Sequence, residues 1–129
     1  MTDVEKRHPE IAYQNAIDSM IVKYGQLKSA TAAIMRRREE INARLSSERE
    51  ELAQIGADLN AALATGQDEL GIVLIQKKNA LEASIKTLEQ DWQQSQGDAE
   101  EAKSSLMQVK SEIQKLRDEK DRMMAQMHS

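Results

Sequence analysis

Apolar residues recur every three or four positions along most of the chain, in two series that lie on either side of Gly66. The first series runs from Tyr13 to Ala62 and the second from Leu74 to Met127. This seven-residue periodicity is typical of long helices with a narrow apolar stripe, and such a stripe must be buried against a partner. The spacing therefore predicts two long helices, each of which buries the stripe of the other.

We call these positions the seam. In the first series they are Tyr13, Ile17, Met20, Tyr24, Leu27, Thr31, Ile34, Arg38, Ile41, Leu45, Glu48, Leu52, Ile55, Leu59 and Ala62. In the second they are Leu74, Lys78, Leu81, Ile85, Leu88, Trp92, Ser95, Ala99, Ala102, Leu106, Val109, Ile113, Leu116, Lys120, Met123 and Met127. Nearly all strongly apolar residues are expected to be used in this seam. The outer faces and the tip then remain for partners.

The six expected anchors of the packing are Ile41, Leu45, Leu81, Ile85, Leu88 and Trp92. Counting outward from the turn places Trp92 near Ile41 and Leu45. Trp92 is either a core anchor or a contact for another protein. The polar seam residues either fix the register or extend their stems along the seam and keep their charge in water.

The connection between the helices is predicted from turn-forming and capping residues at Thr65, Gly66, Gln67 and Asp68. Glycine readily takes the left-handed conformation that ends a helix, and Asp68 suits the N-cap of the next one. Pro9 suits a first helical turn. We therefore expect a polar lead-in over residues 1–8 and a hairpin over 9–129. Its helices should span about 9–65 and 69–127, with the turn at about 66–68.

The composition supports an all-α, long antiparallel two-helix coiled-coil hairpin rather than a globule. The chain has 129 residues, no Phe, 2% aromatic residues and 31% charged residues. No cysteine is present, and no apolar stretch approaches the roughly 18 residues that span a bilayer. The first residues also lack the apolar stretch of a signal peptide, so a cytoplasmic location is expected. A net charge of −4 argues against nucleic acid as a partner.

Candidate chemistry is sparse. The two histidines, His8 and His128, lie in terminal segments, and the carboxylates alternate with Lys and Arg as on a solvated helix face. We therefore predict no enzyme activity, no cofactor and no metal site. Arg36, Arg37 and Arg38 form the only dense basic cluster. Arg38 lies on the seam, and the outward-pointing Arg36 and Arg37 are either a solvated face or a contact for acidic lipid headgroups or an acidic partner. The methionines near the C-terminus either fill the core or form an adaptable partner surface.

The segment from Ala57 to Leu70, Ala-Asp-Leu-Asn-Ala-Ala-Leu-Ala-Thr-Gly-Gln-Asp-Glu-Leu, resembles the hairpin-tip signature of the phage-shock protein A family. That family includes the vesicle-inducing protein of plastids and is related to the ESCRT-III membrane-remodelling proteins. Lys78, Leu81 and the run Ile85–Glu89 are similar to its downstream pattern, and His8-Pro9-Glu10 to the opening of its first long helix. The resemblance covers the chain from residue 8 onward. Gly71 stands where Ala is usual, and Ile72 where Arg is common.

The resemblance implies a non-enzymatic scaffold for membrane stress or membrane maintenance, which acts by self-assembly and protein binding. The implied partners are copies of the chain or full-length paralogues, and an AAA+ transcriptional activator that the family restrains. Family members typically begin with an amphipathic helix. Because polar residues precede Pro9 here, contact with anionic membrane is expected only indirectly, at the inner face of the plasma membrane. The alternative is a free-standing coiled-coil adaptor or spacer with no membrane role.

Overall fold

The computed structural model describes all 129 residues, and its regular structure is entirely helical. Helix α1 spans Asp3–Arg7, α2 spans Pro9–Ala64 and α3 spans Asp68–Met127. Helices α2 and α3 pack against each other, which confirms the predicted all-α antiparallel two-helix hairpin. Each end of the two long helices lies within one residue of the position expected from the periodicity. The packing divides into two units: Met1–Ala33 with Ala99–Ser129, and Ile34–Asp98.

Helix α1 forms in the segment that was predicted only as a polar lead-in. Thr2 caps it, because the Thr2 hydroxyl accepts a hydrogen bond from the Glu5 N–H at 3.2 Å. The Glu5 carboxylate accepts one in return from the Thr2 N–H at 3.4 Å. This reciprocal pair is a capping box, and it satisfies backbone donors that a five-residue helix would otherwise leave to water.

Helix α2 ends at a glycine in the left-handed conformation, as the sequence predicts. Gly66 has φ 69°, and it is the one residue with a positive φ. The Gln67 N–H donates to the Ala62 carbonyl at 2.9 Å, and the Gly66 N–H donates to the Leu63 carbonyl at 3.3 Å. These two bonds form a Schellman motif, which satisfies carbonyls at the end of the helix. The chain can therefore reverse direction within three residues.

Helix α3 begins one residue earlier than its predicted start. The Gln67 carbonyl accepts the first intrahelical bond, from the Gly71 N–H at 2.9 Å, so Gln67 occupies the N-cap position. The expectation that Asp68 is the N-cap is therefore wrong, because Asp68 is already the first helical residue. Its carboxylate lies in the first turn with that of Glu69, where both favour the positive end of the helix.

The unit Ile34–Asp98 contains two clusters of buried seam residues. The first joins Ile41 and Leu45 of α2 to Ile85 and Leu88 of α3, and Leu52, Leu81 and Trp92 pack against it. The second joins Ile55 and Ala62 to Leu74, with Leu59 and Leu81 alongside. Residues of α2 that come later in the chain thus meet earlier residues of α3, as the antiparallel register requires. All six predicted anchors lie in this unit.

The unit formed by residues 1–33 and 99–129 has one cluster of the same kind. Ile17 of α2 packs with Val109 and Ile113 of α3, and Met20, Tyr24, Leu27 and Leu116 surround them. Ala99 is fully buried at 0% exposure. Across the edge of the packing, the Lys120 ammonium donates to the Gln14 amide oxygen at 2.6 Å. Lys120 therefore lies along the seam with its charged end at a polar partner.

Two buried hydroxyl residues of the seam are satisfied within their own helices. The Thr31 hydroxyl donates to the Leu27 carbonyl at 2.7 Å, and the Ser95 hydroxyl donates to the Trp92 carbonyl at 2.8 Å. Neither hydroxyl takes a partner on the opposite helix. Because a buried donor with a partner costs far less than an orphaned one, both residues fit an apolar seam.

Candidate functional site

Trp92 belongs to the interior of the hairpin. Its ring packs on the cluster around Ile41 and Leu45, and the Arg38 guanidinium lies 5.7 Å from the ring centroid. A cation over an indole face is stabilised by the negative potential of the ring. Of the two interpretations of Trp92, the contacts favour the core anchor. Arg38 is held in the same place, with only 24% of its side chain exposed.

Arg36 and Arg37 are both exposed on α2, outside the seam. Arg37 lines a shallow depression of about 100 Å³ with Asp91 and Asp98 of α3. Its positive charge therefore faces two carboxylates of its own chain, although neither is within ion-pair distance. Arg36 makes no ion pair and does not line this depression, so it is the freer of the two cations. The pair is consequently a weaker basic site than its sequence suggests.

The hairpin tip carries apolar side chains that the seam does not use. Those with more than 40% exposure are Leu63, Leu70, Ile72, Val73 and Ile75. Helical spacing places Leu70 with Val73 and Ile72 with Ile75 on opposite flanks of α3, because residues three apart share a face. The expectation that the seam would use nearly all strongly apolar residues is therefore wrong here. The run Ile72-Val73-Leu74-Ile75 contributes one buried residue, Leu74, and three exposed ones.

Gly71 explains how the two helices approach each other beside the turn. It is buried, and it continues the α3 seam three residues before Leu74, at a position that the predicted seam omits. A Cβ at Gly71 would lie 3.4 Å from a Leu63 methyl and 3.9 Å from a Leu59 methyl. Both distances are ordinary contacts, so Gly71 marks close packing without excluding alanine.

Neither a metal centre nor a membrane span is evident. No three side chains of His, Cys, Asp or Glu come together as metal ligands would. No helix combines the length and the hydropathy that crossing a bilayer requires.

No protein-family model, curated protein or solved structure matches the chain. What it can do must therefore be argued from its own surfaces. With the seam closed, the exposed features of interest are the tip, the pair Arg36 and Arg37, and two surfaces near the chain ends.

The first of those surfaces is an open groove of about 660 Å³ in the unit 1–33 and 99–129. Its apolar side chains include Ile21, 42% exposed, and Met107, 71% exposed. Lys110 and Arg117 also line it, and no carboxylate does. The periodicity did not identify this groove. A signal was present in the recurrence of Lys103, Lys110 and Arg117 at intervals of seven, which places three cations at one heptad position.

The second surface is the methionine-rich end of α3. Met123 and Met124 are half-buried, whereas Met127 is 56% exposed. Met123 follows the seam, and Met127 is the one seam position that is exposed. The packing therefore ends before the last residue of the repeat, and the methionines both fill the core and form part of the surface.

Proposed function

We propose that the chain is the hairpin domain of a phage-shock protein A-like scaffold for membrane stress or membrane maintenance. The observation that carries the proposal is the position of the turn. The segment that resembles the family's tip signature, residues 57–70, comprises the last turns of α2, the Gly66 reversal and the first turn of α3. A tip signature located at the actual tip, between two seams of matching length, supports the relationship more than the motif alone.

In this proposal the chain is not an enzyme and acts by binding. The seam is used inside the hairpin, so partners contact the outer faces and the tip. Those partners are copies of the chain or full-length paralogues, and an AAA+ transcriptional activator. Arg36 is the cation best placed for an acidic partner, since Arg37 faces Asp91 and Asp98. The protein works in the cytoplasm and at the inner face of the plasma membrane.

Liposome co-sedimentation tests the membrane part of the proposal. The chain is compared with a form that carries an amphipathic helix joined before Met1, on vesicles with and without anionic lipid. We expect the joined form to bind anionic vesicles and to form higher assemblies on them, because interfacial affinity comes from buried apolar area. The same helix fused to an unrelated soluble coiled coil is the control for binding by the helix alone. If the joined form binds no better and assembles no further than that control, the family proposal fails.

The second candidate is a free-standing coiled-coil adaptor or spacer. One observation favours it: Arg37 lines a depression with Asp91 and Asp98, so carboxylates of the same chain lie beside the only dense basic cluster. An adaptor of this kind would bind its protein partner equally well with or without lipid. Assembly that does not respond to anionic vesicles would select this candidate.

A further inference from the structure

The hairpin tip combines exposed apolar side chains with charge of one sign. Residues 50–76 contain five carboxylates and no basic residue. None of the five makes an ion pair. They belong to exposed residues, which are Glu50, Glu51, Asp58, Asp68 and Glu69. The exposed apolar residues among them are Leu63, Leu70, Ile72, Val73 and Ile75. We call residues 50–76 the acidic tip.

The groove near the chain ends has the complementary character. Lys110 and Arg117 line it, neither makes an ion pair, and its exposed apolar side chains are Ile21 and Met107. Lys103 lies one heptad before Lys110 and extends the same row of positive charge. We call this surface the basic groove. It offers an apolar floor with cations at its edge, and the acidic tip offers apolar side chains with carboxylates at its edge.

We propose that the acidic tip of one copy of this chain docks in the basic groove of a second copy. Leu70 and its exposed apolar neighbours would contact Ile21 and Met107. The carboxylates of Asp68 and Glu69 would pair with Lys110 and Arg117. The two surfaces match in charge and in apolar character, and complementary potentials both steer association and fix its orientation.

The charge distribution argues against the other occupants of the tip. Two tips facing each other would bring the Asp68 and Glu69 carboxylates of one copy against those of the other, which is repulsive at short range. An anionic lipid surface would be repelled for the same reason. A tip that binds a different surface makes a head-to-tail contact, and each bound copy then leaves one tip and one groove free. Such contacts continue from copy to copy as open chains or close into rings.

This inference deepens the proposed function and rests on it only for the premise that copies of the chain associate. It requires no lipid, no activator and no segment outside residues 1–129. It can therefore be tested on the chain in solution, independently of the liposome experiment.

The test is a charge swap followed by sedimentation velocity over a range of protein concentrations at low salt. One variant carries Asp68→Lys and Glu69→Lys, and a second carries Lys110→Glu and Arg117→Glu. We expect each variant alone to associate about 100-fold more weakly than the unmodified chain, because like charges then meet at the contact. Mixed in equal amounts, the two variants should regain association, since each reversed tip now faces a reversed groove.

Two further variants control for folding and for general charge effects. Lysine near the start of α3 opposes the helix dipole, so Asp68→Asn with Glu69→Gln serves as a milder change and should weaken association partially. Lys28→Glu with Lys86→Glu reverses two exposed cations outside both surfaces and should leave association unchanged. Circular dichroism verifies that each variant retains its helicity.

Three results would overturn the inference: a chain that stays monomeric at low salt and high concentration, variants that associate as the unmodified chain does, or a mixture that does not recover. The inference and the proposed function fail separately. If the mixed variants associate again but the form with the added amphipathic helix does not respond to anionic vesicles, the tip–groove contact stands and the membrane role is removed. Vesicle assembly without recovery keeps the family proposal and assigns the contact to other surfaces.

Discussion

Glu48 occupies a seam position that an apolar residue would fill better, so Glu48→Leu should stabilise the hairpin. Its side chain is only 15% exposed, between Leu45 and Leu52 on α2. One carboxylate oxygen accepts a hydrogen bond from the Ser84 hydroxyl. The other is buried without a hydrogen bond, 4.0 Å from an Arg44 nitrogen. Glu48 is therefore a half-satisfied charge inside an apolar row.

The expected gain is the difference between the interactions that the substitution adds and those that it removes. Eliminating a buried acceptor without a partner stabilises by about 1–3 kcal/mol, and burying a leucine side chain adds about 1.5–3 kcal/mol. Against this, the Ser84 hydrogen bond is worth about 0.5–1.5 kcal/mol and the exposed Arg44 pair about 0–1 kcal/mol. Imperfect fit in the seam reduces the sum further. We expect a net gain of about 2 kcal/mol in the free energy of unfolding.

Urea unfolding followed by circular dichroism measures this gain, and Glu51→Leu is the matched control. Glu51 is exposed on the same helix, so its substitution should change stability by less than about 0.5 kcal/mol. In a thermal scan the Glu48 gain corresponds to roughly 7 °C for a chain of this length. Ser84→Ala should be costly in the original chain and nearly neutral in the Glu48→Leu background, where the hydroxyl has no carboxylate to bind. A Glu48→Leu variant that is no more stable than the control would refute the reasoning, because the carboxylate would then be satisfied where it lies.

Two further predictions concern glycine conformation and core packing. Gly97→Ala should raise the free energy of unfolding by about 1 kcal/mol, since Gly97 lies inside α3 and a Cβ there meets no atom within 4 Å. Gly66→Ala should lower the free energy of unfolding by about 1–2 kcal/mol, because alanine is strained at φ 69°. Thermal scans should therefore show a higher melting temperature for Gly97→Ala and a lower one for Gly66→Ala. Melting temperatures that change in the same direction would contradict the assignment of the turn. Ile85→Ala should cost about 2–5 kcal/mol, because Ile85 is only 8% exposed within a buried cluster of the seam. Ile72→Ala, at 58% exposure, should cost less than about 0.5 kcal/mol in the same urea experiment; equal destabilisation at the two positions would mean that the seam is misplaced.

The long helices were predictable because one constraint governs most of their residues. Every seam position is buried or half-buried except Met127, and the polar members Thr31 and Ser95 are buried with the rest. A repeat sustained over so many turns leaves little freedom in which face of each helix is covered. Gly66 was predictable for a similar reason, since a left-handed residue was needed between the two series.

The surfaces were less predictable, because periodicity describes what is buried and not what remains exposed. The repeat assigned only Leu74 of the run 72–75 to the seam, but the exposed apolar surface that Ile72, Val73 and Ile75 form beside the turn follows from the fold and not from the repeat. The basic groove joins residues of α2 to residues far along the chain, such as Ile21 and Lys110, so it exists only once the register is known. Helix α1 was missed although Thr2 and Glu5 have capping-box spacing.

One chain folds back on itself about Gly66, and spin-label distances test this hairpin most directly. The chain has no cysteine, so nitroxide labels can be attached at Arg49→Cys with Glu89→Cys. The side chains of Arg49 and Glu89 meet at 3.1 Å across the two helices. Helices packed at about 8–10 Å should hold the labels at one short separation. We predict that this separation persists when labelled protein is diluted into a large excess of unlabelled protein. Disappearance of the short distance on dilution would show that the contact joins two chains, and would contradict the hairpin.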